Sequence, residues 1–134
     1  MVIFPKAAKF IKTGNIVSLR RELNEGLDPN SLNRFSWTLL MLAAIEGDTK
    51  IGQLLISKGA EIDKTNRFGE TALSLAAHGG HEKFVRMLLD RGARVECRPH
   101  GHTLEHWLRS TSGLSEDKVR SLLHLLKIER TNSN

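Results

Sequence analysis

The 134-residue chain has no tyrosine, one cysteine and three prolines, and aromatic residues make up only 5% of it. With Cys97 alone, no internal disulfide framework can form. So few rings leave little material for a large aromatic core. Long apolar runs are missing too. The longest, Leu39 to Ile45, falls far short of the roughly 20 residues that a membrane-spanning helix needs. The apolar stretch Met1 to Phe4 stops at Pro5-Lys6, before a signal-peptide core can develop. These absences lead to the expectation of a cytoplasmic chain in a reducing setting, with no membrane association.

At 40% hydrophobic and 26% charged residues, the composition is that of a folded globular chain. The net charge of +5 favours an acidic partner, whether protein, nucleic acid or anionic surface. That charge is spread along the chain. Residues 1–32 carry +2, 33–65 carry 0, 66–98 carry +2 and 99–134 carry +1. No polybasic run of the kind that favours phosphate binding occurs, which argues against nucleic acid. Arg86, Arg91, Arg94 and Arg98 could form a local patch but read better as a solvated outer face.

The informative feature is a 33-residue period. Gly14 falls on Gly47 and Gly80, and Gly26 on Gly59 and Gly92; Asn33, Phe35, Thr38, Ala43 and Leu55 fall on Asn66, Phe68, Thr71, Ala76 and Leu88. Each unit reads as helix, turn, helix and loop. The first helix, near Thr38 to Ile45, is apolar on nearly all faces and so is sandwiched. The second carries Ile51, Leu54 and Leu55 in one unit and Phe84, Val85, Leu88 and Leu89 in the next. The glycines suit the left-handed residue that ends a helix. One unit buries about half a dozen large side chains worth roughly 1.5–3 kcal/mol each. Ordering its backbone costs about 1–2 kcal/mol per residue. A unit therefore cannot fold alone and must stack.

At Thr71-Ala72-Leu73, Ala76-Ala77, Gly80-His81, Val85, Leu88-Leu89 and Gly92-Ala93 the chain resembles the ankyrin repeat family, and the resemblance extends over roughly residues 14 to 96. The family's Thr-Pro-Leu-His motif is degraded to Thr38-Leu39-Leu40-Met41 and Thr71-Ala72-Leu73-Ser74, which weakens the usual helix-start devices. The fold expected is all-α, an ankyrin-type helical solenoid of about four repeats including two divergent caps. Residues 1–32 form an N-terminal cap, with a helix from Phe4 to Lys12 that is lysine-rich on its outer side. Residues 33–65 and 66–98 are central repeats, and 99–130 form a divergent C-terminal cap. There Gly101-His102-Thr103 matches Gly69-Glu70-Thr71 at an offset of 32, not 33. Ser110 to Gly113 reads as an inserted linker, Ser115 as a helix cap and Val119, Leu122, Leu123, Leu125 and Leu126 as a final apolar face. Thr131 to Asn134 should fray. The whole reads as a complete, minimal binding scaffold.

A search for chemistry finds no enzyme. The glycines are spaced as helix stops rather than as a phosphate cradle, and no carboxylate pair stands out. Cys97, His100, His102 and His106 lie within ten residues, but their spacing matches no known zinc pattern. A metal-dependent activity at that loop ranks last among the readings, and neither metal nor cofactor is expected. His81 reads as a structural residue of the repeat's turn.

The ankyrin resemblance implies a protein partner, bound through the loop tips and the concave helix face by a chain that is monomeric when unbound. By position that face comprises Arg34, Trp37, Ile45, Glu46, Arg67, Glu70 and His78. Phe35 and Phe68 recur at one position of the repeat and are expected to pack inward, whereas the unrepeated Trp37 is expected to contact the partner. An inhibitor, an immunity-type neutraliser or an adaptor fits this reading. A nucleic-acid-associated factor is the alternative.

Overall fold

The computed structural model describes residues 3–127. The tail expected to fray, Thr131 to Asn134, lies outside them. The described residues form eight α-helices and no strand; Leu32 and Thr38 make one isolated antiparallel bridge. The helices are α1 (Ile3–Lys12), α2 (Ile16–Asn24), α3 (Leu39–Glu46), α4 (Thr49–Ser57), α5 (Ala72–His78), α6 (Glu82–Asp90), α7 (Leu104–Thr111) and α8 (Glu116–Leu125). A short 3-10 turn, Pro99–Gly101, precedes α7.

The odd-numbered helices stack side by side as an inner layer, α1 on α3, α3 on α5 and α5 on α7. The even-numbered helices lie behind them as an outer layer. The sequence explains this division. In α3, Leu39, Leu40, Met41, Ala43 and Ala44 are all buried, because the helix meets α1, α5 and α4 on three sides. In α6 only one stripe, Phe84, Val85, Met87 and Leu88, is buried, and Lys83, Arg86 and Asp90 face solvent. The small Ala43-Ala44 and Ala76-Ala77 pairs are buried and let the inner helices approach closely.

The altered helix-start motif is compensated in place. Thr71 Oγ1 accepts the Ser74 N–H at 3.1 Å, and Ser74 Oγ accepts the Thr71 N–H at 2.8 Å. This reciprocal box satisfies two backbone donors that the helix leaves unpaired. Thr38 Oγ1 and Thr103 Oγ1 accept the N–H of Met41 and His106 in the same manner. A cap of this kind contributes about 1 kcal/mol.

Gly47 ends α3 with φ 71°, and a side chain there would collide with the His81 ring, whose Nδ1 would lie 2.4 Å from the added carbon. His81 needs that space to place Nε2 2.9 Å from the Ile45 carbonyl, so it joins two units as a structural residue should.

At the C-terminal end α7 buries Leu104, Trp107 and Leu108, and α8 buries Val119, Leu122 and Leu123 behind the expected Ser115 cap. One boundary differs. Ser110 and Thr111 belong to α7, and their hydroxyls bond back to the His106 and Trp107 carbonyls, each at 2.7 Å. The connecting loop starts at Ser112.

Candidate functional site

The first two projecting tips are each organised by an asparagine. Asn33 Oδ1 accepts the N–H groups of Phe35 and Trp37 at 2.9 and 3.0 Å, and Asn66 Oδ1 those of Phe68 and Glu70 at 2.9 and 3.1 Å. The chain can then reverse only through a left-handed residue, Ser36 at φ 64° in one tip and Gly69 at φ 74° in the next. Consecutive tips are joined through their backbones. The Arg67 N–H donates to the Phe35 carbonyl at 3.0 Å, and the His100 N–H to the Phe68 carbonyl at 2.6 Å.

This joining puts three rings in register. Phe35 and Phe68 have ring centres 6.3 Å apart, and Phe68 stacks on His100 at 5.5 Å. The row continues to Trp107, 5.9 Å from His100, and ends where His78 stacks on Trp107 at 4.3 Å. Phe35 is 43% and Phe68 41% exposed, and the His100 side chain is 46% exposed. The guanidinium carbons of Arg34 and Arg67 lie 5.7 and 6.0 Å from the centre of the Phe35 ring, within cation–π range.

Behind the row is a buried carboxylate. Glu70 is only 6% exposed; its Oε1 accepts from Asn66 Nδ2 at 2.8 Å and its Oε2 lies 3.0 Å from His100 Nε2. His78 is half-buried, with Nε2 3.0 Å from Thr111 Oγ1. Burial holds its pKa below the usual imidazole value, assisted by His100 and opposed by Glu70 and Thr111.

The residues expected on the face separate into three groups. Arg34, Ile45, Glu46 and Arg67 are exposed, Ile45 at 41%. Trp37 and His78 are half-buried, Trp37 packed against the core and His78 covered by Trp107. Glu70 is a correction: its side chain turns inward to satisfy Asn66 and His100 and offers nothing to the surface. The order expected for the aromatics is also reversed. Phe35 and Phe68 do pack, but on one another in an exposed row, while the unrepeated Trp37 contributes to the core. Sequence reasoning missed His100 and Trp107 as members of the row and the asparagines as its organisers. The offset of 32 held the signal, since it carries Phe68 onto His100.

The Cys97-to-His106 loop does not converge. The Cys97 thiol is half-buried against Thr71 and Ser74, and burial pushes its pKa up more than those two hydrogen bonds lower it. His102 and His106 pair with each other at 4.8 Å on the exposed side of α7, and His100 turns to Glu70. Among the described residues no three His, Cys, Asp or Glu side chains are placed to hold a metal ion.

Paired helices, left-handed glycine stops and backbone-linked tips define a solenoid of ankyrin type. The family profile for ankyrin repeats (three copies) matches residues 6–99, and the chain belongs to that family. Such repeats generally mediate protein–protein interaction and are typically not enzymatic. The chain is also similar to the mitochondrial disaggregases of Bos taurus and Homo sapiens, 38% identical to each over 50 residues. That stretch is 37% of this chain but only 7% of either relative.

Proposed function

We propose that the chain is a non-catalytic module that captures one specific protein through its tips and inner layer. In this reading it works as a cytoplasmic monomer, in the role of an inhibitor, an immunity-type neutraliser or an adaptor. One observation carries the reading. Among the described residues, five large apolar side chains are left exposed, and four of them, Leu32, Phe35, Ile45 and Phe68, belong to the tips or the inner layer. Exposed apolar side chains on the tips and inner layer are what a partner would cover. The fifth, Val17, lies on α2 in the outer layer and supplies a control.

The test is affinity capture from the source cells with the wild-type chain, a Phe35→Ser/Phe68→Ser variant and a Val17→Ser variant, each verified as folded by circular dichroism. A protein retained by wild type and Val17→Ser but lost by the tip variant is the expected result. Equal retention by the tip variant would place the contact elsewhere. Enrichment of nucleic acid alone, with salt-sensitive affinity, would replace the reading with the nucleic-acid alternative.

A further inference from the structure

Resting on the protein-binding reading, we infer that Arg34, Arg67 and Phe35 form a receptor for an extended acidic segment of the partner, with Asp or Glu at alternate positions. Two guanidiniums converge on a single exposed ring. Among the described residues neither makes an ion pair, although Arg109 and Arg120 each make two. The acidic residue of the same tips, Glu70, is turned inward and occupied by Asn66 and His100, so it neutralises neither arginine.

The placement of the guanidiniums decides which anion fits. Phe35 is tilted 32° to Phe68, Phe68 lies 19° from parallel with His100, and both guanidiniums lie over the Phe35 ring. The two guanidiniums, neither of them paired with a carboxylate among the described residues, present a surface of one sign. A nucleic-acid base needs a vacant ring face on which to stack, and at Phe35 the guanidiniums compete for that position. A guanidinium lying over a ring keeps its N–H edge free, and that edge matches a carboxylate with two parallel hydrogen bonds. Alternate side chains of an extended strand project from one face about 7 Å apart, a spacing suited to two guanidiniums gathered at one ring. The apolar residues in such a segment would meet Phe68, which packs on Phe35.

A second cationic surface provides the comparison. A groove of about 390 Å³ in the outer layer is lined by Lys83, Arg86 and Arg91, but it also holds Asp90 and presents no exposed aromatic ring. Arg86→Ala/Arg91→Ala therefore removes the same charge as Arg34→Ala/Arg67→Ala without touching the tips.

The experiment is fluorescence anisotropy of the full chain with three labelled probes: an alternating Asp-Leu peptide, its Asn-Leu counterpart and a thymidine oligonucleotide. Wild type should bind the Asp-Leu peptide saturably. Arg34→Ala/Arg67→Ala should weaken it about tenfold or more, while Arg86→Ala/Arg91→Ala stays within about twofold. Equal binding of the Asn-Leu peptide, equal loss in the two arginine variants, tighter oligonucleotide binding, or no binding of the Asp-Leu peptide would each overturn the inference. The capture experiment with Phe35→Ser/Phe68→Ser separates the two levels. If it succeeds while the Asp-Leu peptide fails, the acidic specificity falls and the binding module stands. If both fail, both fall.

Discussion

The carboxylate of Glu70 lies between Asn66 Nδ2 at 2.8 Å and His100 Nε2 at 3.0 Å, so one buried group fastens the second tip to the third. Removing it leaves the buried Asn66 amide without its acceptor and unfastens the half-exposed His100. Glu70→Ala is expected to lower stability by roughly 2–3 kcal/mol in urea unfolding, the range for losing hydrogen bonds to a charged group. Glu46→Ala, on the exposed end of α3, should stay within about 0.5 kcal/mol of wild type. Equal effects would mean that the Glu70 cluster contributes nothing to stability.

His78 makes stability depend on pH. Its folded-state pKa lies below the ordinary 6.5, first because burial disfavours the imidazolium. The unfolded chain therefore binds this proton more readily than the folded one. The contribution is fully present above pH 6.5 and is lost as pH falls through the depressed folded value. A His78→Gln variant should show a shallower fall in Tm between about pH 7 and pH 5 than wild type. Parallel profiles for the two proteins would contradict this assignment.

The two tips differ at their left-handed residue, Ser36 in one and Gly69 in the other. A non-glycine residue in that conformation costs about 1–2 kcal/mol, part of which glycine returns through its freer unfolded state. Ser36→Gly is expected to gain roughly 0.5–1 kcal/mol. Gly69→Ala should lose more than about 1 kcal/mol, because the added carbon would sit 2.3 Å from the Arg98 carbonyl oxygen in an already strained conformation. Denaturant midpoints for the pair check both signs.

The state of Cys97 can be read with a thiol reagent. Its raised pKa and half-buried position against Thr71 and Ser74 predict labelling at least about tenfold slower in the native chain than in denaturant. Because Cys97, His100 and the His102–His106 pair face different neighbours, equimolar zinc should leave Tm unchanged. Fast native labelling or a zinc-dependent rise in Tm would reverse that reading of the loop.

Most of the solenoid is legible in the residues, because its determinants are local. Helix stops at Gly47, Gly59, Gly80 and Gly92 require positive φ, and the apolar spacing of α4 and α6 requires only one helix at a time. The end of α7 departs from the expected linker because Ser110 and Thr111 are polar residues of the kind linkers use, yet both continue the helix. The site was harder to read, since exposure is decided by the neighbouring unit. Nothing adjacent to Glu70 in sequence announces that His100, thirty residues on, will draw it inward. Likewise, Trp37 has the composition of a binding residue and the packing of a core one.

The backbone N–H groups that bond between units have a direction. Arg67 and His100 donate to carbonyls of the preceding tip, and the Glu61 and Arg94 N–H groups donate to Asn30 and Asp63 of the preceding unit. Each unit thus presents acceptors that the following one completes. Water satisfies a waiting carbonyl more readily than a buried structure tolerates an orphaned N–H. Synthesis proceeds in the same direction, so every newly emerged unit meets a finished template and the solenoid can be assembled like masonry, course upon course, from its N-terminal end.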